Sequence, residues 1–165
     1  MALRDAADDV RAQIGTIRRT EIGAVSPLWA RRFALASAET DPIYFDEAAA
    51  RAAGWAGTPL PPLLLSSTRS FEPGPGRGDL AGDGMSLVDA GYPRGHDVRV
   101  LGGGQSLELH ADALAGVELA TEAEVTDATL KEGRSGELLV VELERRFLTL
   151  DGEVLLTCHE TRLFR

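Results

Sequence analysis

Two carboxylates and a tyrosine lie close together in the sequence, on either side of a proline. Glu39 and Asp41 precede Pro42, and Tyr44 follows it. A positioned carboxylate can remove or deliver a proton, whereas a tyrosine hydroxyl titrates at about pH 10 and is a poor base unless strongly perturbed. Each residue also has a structural interpretation: Asp41 as a turn or helix cap, Tyr44 as a packed aromatic, and Glu39 as a solvated helix end.

The histidines are the second source of acid–base chemistry, because imidazole changes its charge near neutral pH. His110 follows a segment that is predicted to be a strand, where it is either a structural or exposed residue or a catalytic base. His96, in a predicted loop, and His159, on the last predicted strand, are weaker candidates.

Three consecutive glycines, Gly102, Gly103 and Gly104, lie inside a predicted strand. They either form a β-bulge or allow a ligand chain to approach the backbone closely. They do not form a nucleotide-binding loop, because no helix with the required spacing follows them.

Composition excludes several classes of partner. The chain has 165 residues and a net charge of -9, so a nucleic acid or an anionic membrane would repel it. Cys158 is the single cysteine, which excludes an internal disulfide and a cysteine-based metal site and is typical of a reducing cytoplasm. The first residues carry acids where an export signal would carry bases, and no apolar run reaches membrane-spanning length. We therefore expect a soluble cytoplasmic protein without a metal or cofactor.

The first half of the chain predicts helices and one exposed strand. Ser26 followed by Pro27 is a helix start, and we expect that helix to bury Leu28, Trp29, Phe33 and Ala36. The prolines before Leu63 to Leu65 suit the entry of a buried helix. The predicted helices cover residues 6–14, 26–38, 46–53 and part of 58–71, and the exposed strand covers residues 16–25.

The second half alternates with a period of two, which is typical of antiparallel strands. Asp151-Gly152 and the segment from Gly133 to Gly136 predict the hairpin turns. Before these strands, a loop rich in Gly and Pro over about residues 72–96 suggests a flexible lid or an overhanging binding segment. The pattern predicts one α+β domain over residues 1–165. The predicted strands cover residues 98–109, 118–130, 138–150 and 153–163.

Several segments resemble motifs of the MaoC-like dehydratase/hydratase superfamily. The segment from Phe33 to Gly54 is similar to the family's F-A…G-D-x-N-P-x-H-x-D…A-R…G, in the D-P-x-Y-x-D variant of the N-terminal half of two-part MaoC proteins. Three further matches follow in the same order as in the family. They are Pro61-Pro62 for A-P-P, Arg99-Val100-Leu101 with Gly103-Gly104-Gln105 for R-x-L-H-G-G-Q, and Gly133-Arg134-Ser135-Gly136 for G-R-S-G.

This resemblance implies a hot-dog fold, in which a curved antiparallel β-sheet wraps a long central helix. It implies a coenzyme A or acyl carrier protein thioester as ligand, and a site at the interface of a homodimer or of a heterodimer with a second hot-dog subunit. Pro62, Leu63 and Gly102 to Gly104 are then the candidate substrate-binding residues. Glu39 and Tyr44 stand where the active relatives have aspartate and histidine, so the catalytic pair is altered, and Asp41 and His110 complete the candidates.

Three functions follow from these observations. The first is a hydratase or dehydratase that adds or removes water at an α,β-unsaturated thioester. The second is a non-catalytic, substrate-binding subunit of a heteromeric dehydratase. The third is a hot-dog thioesterase or tailoring enzyme, which ranks last because thioesterases normally place an acid on the central helix and Leu63 to Ser70 contains none.

Overall fold

The computed structural model describes residues 2–68, 74–82, 84–133 and 136–165. Over these residues, four α-helices precede most of a five-stranded sheet, so the predicted α+β class is confirmed. The helices are α1 (Ala2–Arg11), α2 (Pro27–Ala36), α3 (Glu47–Ala52) and α4 (Pro62–Ser67). The strands are β1 (Arg18–Ala24), β2 (Val100–Leu109), β3 (Glu118–Gly133), β4 (Gly136–Thr149) and β5 (Val154–Phe164).

The sheet is antiparallel throughout, in the order β1-β3-β4-β5-β2. Both predicted hairpins are present. Gly133 pairs with Gly136 across the first, while Arg134 and Ser135 lie outside the described residues. In the second, Gly152 has a φ of 99°, a left-handed conformation that favours glycine. The order leaves β2 at one edge of the sheet.

One face of the sheet is buried under the helices and the segment that precedes β2. On β4, Leu139, Val141, Leu143, Arg145 and Phe147 are all buried, as alternation with a period of two requires. This inner face carries two apolar clusters: a first that includes residues of α1, and a second that includes residues of α2 and α4. Buried sheet residues of the second cluster are Ile22, Leu119, Phe147, Leu155, Leu156 and Cys158.

The three glycines of β2 form a β-bulge. Pairing with β5 shifts its register between Gly102 and Gly104, which confirms the bulge interpretation. A Cβ added at Gly103 would lie 2.8 Å from Cγ2 of Thr161, so only glycine fits there without movement.

The starts of α2 and α3 agree with the sequence. Ser26 accepts a hydrogen bond from the backbone N–H of Trp29 at 3.2 Å, and Asp46 accepts one from Ala48 at 2.8 Å. These caps satisfy N–H groups that have no partner inside the helix. Helix α1 begins and ends earlier than predicted.

The predicted buried side of α2 is wrong. Leu28 and Trp29 are 60% and 46% exposed, whereas Ala30 and Ala34 are buried. Phe33 is partly buried and Ala36 is exposed. The helix therefore contacts the core through Ala30, Ala34 and part of Phe33, whereas Leu28 and Trp29 are exposed.

Helix α4 is six residues long, so the long central helix is not observed among the described residues. Thr68 has an extended conformation, with φ −102° and ψ 122°, and ends the helix. Residues 69–71 of the predicted segment lie outside the described residues. Leu64 and Leu65 are buried in the second cluster, as a core helix requires.

The second half of the Gly/Pro-rich segment is packed, and it is not an overhanging loop. Ala90 and Tyr92 are buried in the first cluster, and Tyr92 meets Phe164 edge to face with ring centroids 5.7 Å apart. A membrane-crossing helix is not found anywhere in the part of the chain that the structure describes.

Candidate functional site

The segment with Glu39, Asp41 and Tyr44 connects α2 to α3. Helix α2 ends in a Schellman motif, in which Glu39 N–H donates to Ala34 O at 2.9 Å and Ala38 N–H donates to Leu35 O at 3.2 Å. Ala38 has a φ of 59°, a conformation usually taken by glycine. Asp41 Oδ1 then accepts a hydrogen bond from Ile43 N–H at 3.1 Å, so Asp41 caps the short 3-10 turn of Pro42–Tyr44.

Tyr44 is partly buried, and its surroundings raise its pKa above 10.0. Burial is the largest cause, followed by the negative charges of Glu39 and Asp41. All three effects disfavour the phenolate. Tyr44 therefore keeps its proton at neutral pH, where it can donate a hydrogen bond but cannot act as a base.

A cavity of about 210 Å³ lies near the end of β2. Its floor consists of buried leucines, and its more exposed rim carries aromatic, imidazole and carboxylate groups. This combination of an apolar interior with a few polar groups is typical of small-molecule sites. The floor residues are Leu60, Leu65, Leu155 and Leu156, and the rim residues include Trp55, Pro62, Leu109, His110 and Asp112.

The walls of the cavity are held together by backbone hydrogen bonds between two loops. Leu60 N–H donates to Ala113 O at 2.7 Å, and Ala115 N–H donates to Thr58 O at 2.9 Å. Trp55 completes a second Schellman motif, in which its N–H donates to Ala50 O at 3.0 Å and Gly54 at the end of α3 has a φ of 97°. The rim is therefore anchored by a helix end on one side and by the sheet on the other.

His110 is fixed at this rim by backbone and side-chain contacts to β5. Its N–H donates to Leu155 O at 2.9 Å, and its Nε2 lies 2.9 Å from the hydroxyl oxygen of Thr157, which is buried. The hydrogen bond to Thr157 sets the orientation of the imidazole ring, and His110 is among the residues that line the cavity.

The model of the FAS1-like, dehydratase domain region family matches residues 12–158. The chain belongs to this family. It is thus a member of the hot-dog dehydratase/hydratase proteins, as the sequence motifs indicated. No curated protein sequence matches the chain significantly.

Solved structures of the same fold support this assignment. The chain is similar to the ChsH1-ChsH2 complex from Mycobacterium tuberculosis, with a TM-score of 0.74, 20% identity, and coverage of 98% of this chain and 89% of the other. The C-terminally truncated HadBC (3R-hydroxyacyl-ACP dehydratase) complex from the same organism has a TM-score of 0.65 and 22% identity, with coverage of 92% of this chain and 96% of the other. The (R)-hydratase from A. caviae involved in PHA biosynthesis has a TM-score of 0.62 and 21% identity, with coverage of 90% of this chain and 94% of the other. The hot-dog fold is therefore confirmed.

The structure brings together only part of the predicted site. Pro62 and His110 both line the cavity of this dehydratase-family chain. Glu39, Asp41 and Tyr44 lie on a separate segment and do not line it. Leu63 is 55% exposed and also lies outside the lining.

The glycines 102–104 lie on the exposed edge strand and likewise do not line the cavity. Sequence reasoning missed Asp112 and Trp55, which do. Two signals were available: Asp112 is two residues after His110, and Trp55 directly follows the helix stop at Gly54.

Charged side chains also occupy the inner face of the sheet. Glu160 accepts hydrogen bonds from Arg145 Nε and from Arg162 Nη2, both at 3.0 Å. Arg162 also donates to Ala90 O at 3.1 Å, and Asp89 lies 4.0 Å from it. Burial acts to raise the pKa of Glu160, but the two guanidinium groups outweigh it and hold the pKa below 4.5.

Proposed function

We propose that this chain is a hydratase or dehydratase of acyl thioesters, with residues 1–165 forming one hot-dog unit that holds the acyl group in the cavity beside His110. The observation that carries the proposal is the placement of a hydrogen-bonded imidazole on the rim of a leucine-lined pocket. Apolar side chains suit an acyl tail, and imidazole suits proton transfer near neutral pH. The family assignment supports the same class of reaction.

Dehydration of a 3-hydroxyacyl thioester needs two proton transfers. The α C–H bond breaks and its electron pair forms the double bond, while the β C–O bond breaks and the leaving hydroxyl takes up a proton to become water. His110 would accept the α proton, and Asp112 on the same rim is the second titratable group available to it. In the hydration direction the same groups act in reverse.

The carrier part of the thioester, coenzyme A or acyl carrier protein, would remain outside the cavity. Pro62 on the rim would contact the substrate beside the thioester. The exposed Leu63 and the bulge at Gly102 to Gly104 are open to a pantetheine chain that runs over the surface. These contacts are part of the proposal.

A second hot-dog subunit is expected along β2. Eight of the ten residues of this edge strand are exposed, and Leu101 and Leu109 are 44% and 63% exposed. An exposed strand edge with apolar side chains favours pairing with another chain. Both the ChsH1-ChsH2 and HadBC structures are complexes, so we propose a heterodimer as an alternative to a homodimer.

The test is the hydration of crotonyl-coenzyme A by the purified chain, measured as loss of absorbance of the unsaturated thioester. Turnover that is lost in His110→Ala and kept in His159→Ala is the expected result. The second histidine is an apt control because it lies on β5 between Glu108 and Glu144, outside the cavity lining. Absence of turnover on any enoyl thioester would contradict catalysis by this chain alone.

A specific observation favours a second candidate function, the substrate-binding subunit of a heteromeric dehydratase. In the segment that resembles the catalytic motif, Asp41 is used as a cap and Tyr44 keeps its proton. Tyr44, at the histidine position of the motif, therefore cannot act as the base. Binding of acyl-coenzyme A without turnover, together with co-purification of a second hot-dog chain that restores turnover, would identify this function.

A further inference from the structure

Beyond the cavity floor, the inner face of β4 and β5 changes from apolar to charged. The paired positions across the two strands run in order from Phe147 opposite Leu156 to Arg145 opposite Cys158 and then to Leu143 opposite Glu160. Leu156 is a floor residue of the cavity. The charged side chains therefore begin one pair beyond the floor.

These charges are firmly held. Arg145 and Arg162 are 8% and 7% exposed, and both donate to Glu160. Arg162 is further fixed by the carbonyl of Ala90. An alkyl chain lying against this cluster would remove its remaining hydration without offering a hydrogen bond, which is unfavourable.

The cavity is correspondingly small. Its volume is about 210 Å³. Alternate residues of a strand are about 7 Å apart, and an extended alkyl chain advances about 1.3 Å for each bond, so one pair of positions corresponds to about five bonds. A longer chain that continues along the inner face past Leu156 reaches the level of Arg145, one pair beyond it.

We infer that the Arg145–Glu160–Arg162 cluster limits the acyl group to about six carbons, so that the substrate class is short-chain acyl thioesters. This inference rests on the proposed binding of the acyl group in the His110 cavity. It assigns a role in specificity to side chains that take no part in the proton transfers.

Calorimetric binding of butyryl-, hexanoyl-, octanoyl- and dodecanoyl-coenzyme A to the purified full chain tests the limit. We expect the dissociation constant to rise by at least about tenfold, or about 1.4 kcal/mol, between hexanoyl and dodecanoyl. Equal or tighter binding of dodecanoyl-coenzyme A would overturn the length limit and leave the proposed function standing. No binding at any length would overturn the proposed function itself.

The cause of the limit is tested by the double variant Arg145→Met/Glu160→Met. This variant leaves the net charge unchanged and leaves Arg162 with Ala90 O and Asp89. Exchange of buried ion pairs for apolar side chains of similar volume is often tolerated. In this variant we expect the dissociation constant of dodecanoyl-coenzyme A to exceed that of hexanoyl-coenzyme A by less than about threefold.

A similar ionic cluster on the other face of the sheet provides the matched control. Glu122 forms ion pairs with Arg19 at 3.1 Å and with Arg146 at 3.0 Å. Arg19→Met/Glu122→Met leaves Arg146 with Glu144 at 3.8 Å, and it should keep the wild-type chain-length profile. A profile that changes equally in both double variants would contradict the role of the inner cluster.

A further variant covers the case in which the double exchange does not fold. Leu156→Ala deepens the floor by removing three carbons and leaves the charges in place. Octanoyl-coenzyme A should then bind about as tightly as hexanoyl-coenzyme A, whereas dodecanoyl-coenzyme A stays at least about tenfold weaker. If Leu156→Ala admits dodecanoyl-coenzyme A as well, the cluster does not set the limit.

Discussion

The segment from Glu39 to Tyr44 and the cavity beside His110 both carry acid–base groups, but their surroundings differ. In the first, Glu39 and Asp41 are exposed, and the polar side chain of Asp41 completes a local turn. In the second, His110 is hydrogen-bonded to a buried threonine and lies beside buried leucines. The first region is therefore stabilised locally, whereas the second is built from distant parts of the chain.

This difference separates a motif that shapes the backbone from a site that can bind a ligand. Binding of an apolar group needs buried apolar surface, and the segment from Glu39 to Tyr44 offers little of it. Proton transfer needs a group whose pKa lies near the working pH, and Tyr44 is shifted further from it. Variants in the two regions should consequently have unequal effects.

The largest expected effect follows from His110→Ala. Removal of a general base costs about 100-fold to 10,000-fold in kcat, and steady-state hydration of crotonyl-coenzyme A measures it. Glu39→Ala is the paired variant in the other region, and it should keep kcat within about threefold of wild type. A larger loss in Glu39→Ala than in His110→Ala would reverse the comparison.

The second effect concerns the charges beneath the cavity. Glu160→Gln removes the carboxylate that pairs with Arg145 and leaves Arg162 with Asp89 at 4.0 Å, and we expect a loss of about 2 to 3 kcal/mol in the free energy of unfolding at pH 7. That is less than the figure for a fully buried pair, because the Glu160 side chain is 20% exposed. Urea unfolding at pH 7 measures the loss.

The same variant has a predictable pH dependence. The folded-state pKa of Glu160 is lowered, so its contribution is present above the ordinary value of 4.5 and is lost as the pH falls through the lower folded value. Wild type should thus lose stability more steeply than Glu160→Gln below pH 4.5. If the free energies of unfolding of the two proteins fall in parallel below pH 4.5, the ionisation of Glu160 does not contribute to stability.

A third variant, Thr157→Val, asks whether the orientation of His110 matters. It removes the hydroxyl 2.9 Å from Nε2 and keeps the size of the side chain. One neutral hydrogen bond contributes about 1 kcal/mol, so kcat should fall by about fivefold. The Michaelis constant should change less than kcat, since Thr157 does not line the cavity; a change confined to the Michaelis constant would exclude this positioning role.

The sequence predicted the strands and helix caps well because their signals are local. Ser26 and Asp46 cap the helices that they were expected to start, and Gly152 turns the last hairpin. The buried side of α2 was wrong because both of its faces carry apolar residues. The short Ala30 and Ala34 pack inward, a choice that depends on the partner surface.

The cavity was largely hidden from the sequence for a related reason. Trp55, His110 and Leu156 are far apart along the chain, and their meeting depends on the register of β2 on β5 and on the loop pairing of Leu60 with Ala113. A motif search finds residues with fixed spacing, such as Asp41 and Tyr44. It does not find side chains that only the sheet brings together.

The ends of α2 and α3 have different residues at the same structural position, and this predicts opposite effects on stability. Both helices end in a Schellman motif, but α2 has Ala38 at the left-handed position where α3 has Gly54. Ala38→Gly should increase the free energy of unfolding by about 0.5 to 1 kcal/mol, and Gly54→Ala should decrease it by about 1 kcal/mol. Urea denaturation measures both; a loss of stability in Ala38→Gly would mean that the strain at Ala38 is not relieved by glycine.

The smallest effect is expected for Tyr44→Phe, and it decides most sharply which region performs the chemistry. The phenol keeps its proton through the neutral range, so its removal should leave the pH profile of kcat unchanged and kcat within about twofold of wild type. A hydroxyl that donates to the substrate in the transition state would give a much larger loss. A tenfold fall in kcat without a change in stability would therefore place the reacting thioester beside Tyr44 and turn the His110 cavity into a site for binding alone.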